Sequence, residues 1–210
     1  MSALDSLLEI ANCAADSMKP MPTAMPLFIE ALAFAADKHR DHRRKNAAAS
    51  PYINHPIALA HVLIGEGGIA ETPVLCAAIL HDTVEDTQTT FAELEVRFGA
   101  EIAGIVREVT DDKDLPKSRR KELQVEHAPH LSRGARLVKL ADKICNLRDV
   151  AEDPPASWSR ERRVEYFEWA RRVIDGLRGT HPALEATFDA VYTRGLSLAE
   201  ARAAPVKTYH

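Results

Sequence analysis

Pro73-Val74-Leu75-Cys76-Ala77-Ala78-Ile79-Leu80-His81-Asp82-Thr83-Val84-Glu85-Asp86 is the stretch on which the reading of this chain turns. Its first eight residues are apolar throughout and read as a buried helix. Thr72 is expected to cap that helix, with Pro73 in the first turn, where a missing N–H does no harm. His81, Asp82, Glu85 and Asp86 follow immediately. At about 3.6 residues per turn, Glu85 falls one turn beyond both His81 and Asp82, so the three are expected on one side of a continuing helix. Charges that end an apolar helix are costly unless they are paired or bind a cation. A divalent metal is therefore the first hypothesis, set against the plain alternative that an isolated His-Asp pair is a surface accident.

Two segments outside this stretch add to the metal hypothesis. In Tyr52-Ile53-Asn54-His55-Pro56, Asn54 is expected to cap a helix with Pro56 in its first turn, so His55 projects from a rigid helix start. In Leu137-Val138-Lys139-Leu140-Ala141-Asp142-Lys143-Ile144-Cys145-Asn146-Leu147, the residues Leu137, Leu140, Ala141, Ile144 and Leu147 form a helical core face. Asp142 lies beside that face, with Asn146 one turn on. A carboxylate there needs a partner, either a metal or one of the cations Lys139, Lys143 and Arg148.

Helix follows helix along the rest of the chain. Phe28, Ala31, Leu32 and Ala35 carry the helical spacing, in a helix expected to end near Arg44-Lys45. A second helix stops at Gly65. Thr90-Phe91-Ala92-Glu93 reads as a capping box for a helix closed by Gly99, and Ile102, Ile105, Val106 and Val109 continue the period. Helices are also expected over residues 117–127, 133–150, 158–178 and 182–193. No segment shows strand alternation, so the fold class is all-α. Residues 1–18 read as one amphipathic helix, and Lys19 to Pro26 as a proline-rich linker. The domain reading is an extension over 1–25, a helical domain over 26–196 and a frayed tail over 197–210.

Composition narrows the function. The net charge of −4 argues against a general nucleic-acid binder, while leaving room for a local basic pocket. Cys13, Cys76 and Cys145 are too few and too widely spaced for a disulfide framework or a thiolate zinc site. Cys76 and Cys145 read as small core residues. No run of about 20 apolar residues and no signal peptide is evident, so a cytoplasmic protein without membrane partners is expected.

The order His55, His81-Asp82, Asp142 resembles the H…HD…D signature of the HD superfamily of metal-dependent phosphohydrolases. Tyr52 to Pro56, His81 to Asp86, Phe98-Gly99, Val109 to Lys113 and Leu137 to Lys143 resemble the hydrolase domain of the Rel/Spo alarmone enzymes. Gln124 to His130 and Tyr166 to Ala170 resemble its small stand-alone branch, that of the metazoan SpoT homologue and its bacterial relatives. The likeness covers residues 27–196 and implies an HD-type helical bundle with one metal site.

It also implies roles. His55, His81, Asp82 and Asp142 would hold the metal; this nitrogen and oxygen set suits Mn²⁺, Fe²⁺ or Zn²⁺, and the family favours Mn²⁺. Glu85 and Asp86 match the acidic pair that orients and deprotonates the attacking water; otherwise they are an acidic pair at a helix C-terminus, where the dipole disfavours them. Arg44 and Lys45 match residues lining the guanine-nucleotide side, and Asn146 one that contacts ribose or phosphate. Tyr52 reads equally as a nucleotide contact or as core. The basic run Lys117 to Lys121 could hold distal phosphates but reads first as an exposed helix face, and Trp158 and Trp169 read as core or interface anchors. The implied activity is removal of pyrophosphate from the ribose 3′ position of guanosine 3′,5′-bis-polyphosphates, giving GDP or GTP. The chain has no room for the family's synthetase and regulatory domains, so degradation alone is expected. Alternatives are an NADPH 2′-phosphatase or another HD-type nucleotidase and, from a different class, an inactive nucleotide-binding sensor. The oligomeric state is not legible.

Overall fold

A computed structural model of the chain describes residues 24–45 and 48–201. The amphipathic helix expected over residues 1–18, together with Cys13, lies outside the described residues. Among them the fold is all-helical, and the sole pairing of extended backbone is an isolated bridge between Arg43 and Pro51. No described helix is long and apolar enough to cross a membrane.

Helix α1 (Ala24–Lys38) begins inside the expected linker, because Pro26 falls in its first turn, where proline is tolerated. It ends six residues before Arg44. After Ala36 the sequence offers no apolar residue to bury, and a short helix without packing does not hold its turns. The chain instead doubles back: Arg44 N–H donates to the Ser50 carbonyl at 2.9 Å and Tyr52 N–H to the His42 carbonyl at 3.0 Å.

Helix α2 (Asn54–Gly65) starts without the expected side-chain cap. The N–H groups of Asn54 and His55 go to the carbonyls of Pro51 and Tyr52 at 3.2 and 2.9 Å, so a tight turn satisfies donors that a cap would have taken. In α3 (Thr72–Leu80) the cap position belongs to Glu71, not Thr72, with Pro73 in the first turn as expected. Helix α3 is buried from Val74 to Leu80, and it does not continue through Glu85. His81 and Asp82 form a turn, and α4 (Thr83–Asp86) is a separate single turn. The Thr83 hydroxyl donates to the Leu80 carbonyl at 2.7 Å, taking an acceptor that an unbroken helix would have used.

Beyond it come α5 (Phe91–Phe98), α6 (Ala100–Val109), α7 (Lys117–His127) and a 3₁₀ turn at Ala128–His130. Thr90 caps α5 by accepting from Glu93 N–H at 3.1 Å. The reciprocal half of the capping box is missing, since the Glu93 carboxylate pairs with Lys38 on α1 at 3.0 Å. Gly99, at φ 90°, turns the chain between α5 and α6. Ser132 caps α8 (Arg133–Glu152) and Ser159 caps α9 (Arg160–Asp175), which is shorter than expected at both ends. Helix α10 (Pro182–Ala201) runs past the expected end at residue 193, because Gly195, Leu196 and Ala199 still pack inward.

Helix α8 is the axis of the bundle and packs against α2, α3, α6, α9 and α10. Ala135, Leu137, Val138, Leu140, Ala141, Ile144, Leu147 and Val150 are buried on it, as are Lys139 and Lys143. Cys76 on α3 and Cys145 on α8 are buried free thiols.

Close approach of α9 and α10 depends on one glycine. A Cβ on Gly195 would lie 2.3 and 2.5 Å from ring carbons of Phe167, a fully buried residue of α9. Gly195→Ala gains up to about 1 kcal/mol of helix propensity, but overpacking typically costs about 1–3 kcal/mol. We expect a net loss of stability, read as a lower Tm in thermal unfolding; a raised Tm would count against this packing.

Candidate metal centre

Two helix junctions and the middle of a third helix converge on one point. His55 comes from the first turn of α2, His81 and Asp82 from the turn between α3 and α4, and Asp142 from the middle of α8. One ligand atom from each of His55, His81 and Asp82 lies within 4.8 Å of the others. Asp142 joins them through Oδ1, which is 3.3 Å from His55 Nε2. All four line one small cavity with Glu85, Lys139 and Asn146.

The surroundings fit a cation. His81 Nδ1–H donates to the Ala78 carbonyl at 2.8 Å, which fixes the tautomer and leaves Nε2 as the nitrogen that faces the site. That Nε2 sits 2.9 Å from Asp82 Oδ2. Buried imidazole nitrogens and carboxylate oxygens, with no thiolate among them, make a donor set for a divalent ion such as Mn²⁺, Fe²⁺ or Zn²⁺.

The protonation states show the same convergence. Burial alone would lower the His81 pKa, but the Asp82 carboxylate outweighs it and holds the imidazole at about 9. Burial holds His55 below the ordinary histidine value. Burial also works to raise Asp82 and Asp142, yet the cationic His81 beside the first and Lys143 beside the second keep both below the usual carboxylate range. Glu85 moves the other way: burial and the neighbouring Asp82 charge push it up.

For several residues the structure supplies the partners that the sequence left open. Tyr52, expected as core or as a nucleotide contact, donates its hydroxyl to Asp82 Oδ2, and burial followed by the Asp82 charge pushes its pKa up. Asn146 donates to Asp142 Oδ1 at 2.6 Å, so it bonds a candidate ligand rather than facing freely outward. Of the three cations offered as partners for Asp142, Lys143 takes the role at 2.9 Å. Lys139 instead donates to the Val109 carbonyl at 3.0 Å, and Arg148 pairs with Glu66 at 2.7 Å. Lys143 in turn lies 4.5 Å above the Trp169 ring, whose indole N–H donates to the Lys121 carbonyl at 2.9 Å. Trp169 is thus buried beside the site, whereas Trp158 lines a wider cavity.

That cavity, of about 1010 Å³, opens outward from the cluster. Arg44, Lys45, Lys113, Lys117, Arg120 and Arg148 line it, as do Glu85, Asp86, Asp149 and Asp153. The basic run Lys117 to Lys121, expected to face solvent, therefore divides. Arg119 is solvent-facing and pairs with Glu122 and Glu126, while Lys117 and Arg120 turn into the cavity. Arg44 lies over the Tyr52 ring at 5.7 Å and pairs with Asp149, and Asp86 pairs with Lys113.

His39 has no ligand-like spacing in the sequence. It is buried, its ring centroid is 4.8 Å from that of Tyr52, and its Nδ1 is 3.0 Å from Nδ1 of His42. The available signal was periodic: Ala31, Ala35 and His39 continue one buried face of α1 at four-residue spacing.

Comparison with known proteins agrees with this geometry. Residues 31–167 match the family model of the HD domain. The guanosine-3′,5′-bis(diphosphate) 3′-pyrophosphohydrolase MESH1 of Homo sapiens is 56% identical over 171 residues, covering 81% of this chain and 96% of that protein. Its counterpart in Xenopus tropicalis is 55% identical over 172 residues, covering 82% of this chain and 96% of its own. A solved structure of a metazoan orthologue of SpoT that hydrolyses ppGpp superposes with a TM-score of 0.79 at 48% identity, covering 84% of this chain and 98% of that one.

Two substitutions test the centre by metal binding alone. His81→Ala and Asp82→Ala should leave the folded protein without stoichiometric Mn²⁺ in elemental analysis; full occupancy in both would exclude the assignment. Tyr52→Phe should weaken Mn²⁺ affinity about 10–100-fold in titrations of metal-free protein, the usual effect of losing a bond to a ligand. An unchanged affinity would return Tyr52 to the substrate side.

Proposed function

This chain belongs to the HD-domain family, and from that premise we propose that it is a metal-dependent guanosine-3′,5′-bis(diphosphate) 3′-pyrophosphohydrolase. The reaction adds water across the bond between the ribose 3′ oxygen and its diphosphate, giving GDP or GTP and pyrophosphate. The observation that carries the chemistry is the convergence of His55, His81 and Asp82 within 4.8 Å at the floor of a cavity that also holds Glu85. The guanosine polyphosphate comes from the relatives, whose named activity it is and whose lengths this chain spans almost entirely.

A divalent cation, Mn²⁺ in this proposal, held by His55, His81, Asp82 and Asp142 supplies charge for polarising a phosphoryl oxygen and activating water. The remaining work falls to the chain itself. Glu85 accepts the proton of the attacking water. Its raised pKa brings it closer to a working base at neutral pH than an ordinary glutamate would be. Asp86, on the next position of α4 and paired with Lys113 across the cavity mouth, helps orient that water. Arg44 and Lys45 hold the nucleotide side, Arg44 by changing partner from Asp149 to the substrate. Lys113 and Lys117, which also line the cavity, offset a substrate of high negative charge. Tyr52 and Asn146 act one step back, by orienting the Asp82 and Asp142 carboxylates.

The test is a parallel assay of Mn²⁺-loaded protein on ppGpp, NADPH and simple nucleotides. Turnover of ppGpp with release of pyrophosphate is expected; turnover of NADPH alone would replace the substrate, and none at all would leave a binding protein. Glu85→Gln should keep Mn²⁺ content and KM while kcat falls by about 10²–10⁴-fold, the usual worth of a general base. Wild-type kcat in that variant would remove Glu85 from the mechanism.

A further inference from the structure

We propose that Arg120 and Gln124, one turn apart on α7, are positioning residues that hold the Glu85 carboxylate in its working orientation; this rests on the reading of Glu85 as the proton acceptor. Glu85 stands on α4, a helix of a single turn, which by itself leaves the side chain free to rotate. Each of its carboxylate oxygens nevertheless has a partner. Oε1 is 3.5 Å from Arg120 Nη1, and Oε2 accepts from the Asp111 backbone N–H at 3.2 Å. Asp111 is held in turn by Gln124, whose Nε2 donates to Asp111 Oδ2 at 2.7 Å. Both contacts to Glu85 therefore trace back to α7, one directly and one through the loop after α6.

The supports behind these contacts are themselves fixed. Lys139 donates to the Val109 carbonyl at the end of α6, and the Thr110 hydroxyl donates to the Val106 carbonyl at 2.8 Å, so the segment leading to Asp111 has little freedom. The Trp169 indole bond to Lys121 ties α7 to α9 immediately beside Arg120. The Arg120 and Glu85 side chains are only 23% and 18% exposed, so their attraction is less screened than that of a surface pair. Arg119 supplies the contrast within the same helix: it faces solvent and bonds the carboxylates of Glu122 and Glu126.

A brace of this kind has a specific kinetic signature. Once the carboxylate is gone, the residue that orients it has nothing left to orient. Arg120→Gln should lower kcat about 10–100-fold, the range seen when a supporting contact or a small misplacement is at stake, with KM and Mn²⁺ affinity close to wild type. Arg120→Lys should recover part of the loss. In the Glu85→Gln background, Arg120→Gln should add nothing, giving a double variant equal to Glu85→Gln alone. Gln124→Met, which removes the donor to Asp111 while keeping side-chain length, should show a smaller kcat loss that also vanishes in the Glu85→Gln background. It serves as the readout if Arg120→Gln melts below assay temperature.

Multiplicative losses in the double variant, or a raised KM at unchanged kcat, would make Arg120 a substrate ligand and overturn the proposal. So would wild-type kinetics in both Arg120→Gln and Gln124→Met. If Glu85→Gln itself turns over normally, the reading of Glu85 as base fails and the brace falls with it. If Glu85→Gln is impaired and the losses multiply, only the brace fails.

Discussion

Everything at this site depends on neutralising the carboxylate of Asp142, which sits in the middle of α8, the axis of the bundle. A carboxylate taken out of water loses several kcal/mol of solvation unless charge and hydrogen bonds replace it. Here Lys143 covers Oδ2, while Asn146 and His55 crowd Oδ1. Lys143 is itself buried and leans on the face of Trp169, which offers a quadrupole in place of water. Removing one member leaves the others charged and uncompensated, a loss of about 3–5 kcal/mol in comparable buried pairs.

The second requirement is geometric. The candidate ligands stand on three different segments and must meet within a few ångströms, which unbroken helices at His55 and His81-Asp82 would not allow. The chain solves this with interruptions. The turn before α2 presents His55, and the break after Leu80 lets His81 and Asp82 face the same point while Glu85 stands on its own short turn. The apolar bulk of α3 and α8 makes these breaks rigid, because the residues on either side are locked in the core.

Charge is graded outward from that point. The innermost layer is acidic and imidazole-bearing, and the walls of the wide cavity are predominantly basic but studded with acidic partners such as Asp86 and Asp149. Those ion pairs hold the basic side chains in place near the cavity without substrate. A highly charged ligand then competes for cations that are already ordered, and fewer rotamers must be frozen when it arrives.

The sequence by itself determined the fold class, and it offered His55, His81, Asp82 and Asp142 as candidate metal ligands through an order along the chain that resembles the HD signature. Helical periodicity is a local property, and His and Asp in apolar surroundings announce a need for partners whatever the topology. It also determined the helix ends at Gly65 and Gly99 and the Thr90 cap, which acts within four residues. Tertiary structure decided what depends on distant segments meeting. Asn54 and Thr72 were available as caps, but a main-chain turn opens α2 and Glu71 occupies the cap position of α3. Tyr52 and Asn146 were legible as polar side chains near the site. Which atoms they bond was fixed only when Asp82, 30 residues from Tyr52, came within reach of its hydroxyl and when Asp142 was buried. Arg119 and Arg120 are indistinguishable by type. Their different fates, one in solvent and one against Glu85, follow from the rotation of α7, which α9 fixes through Trp169 and which no local pattern encodes.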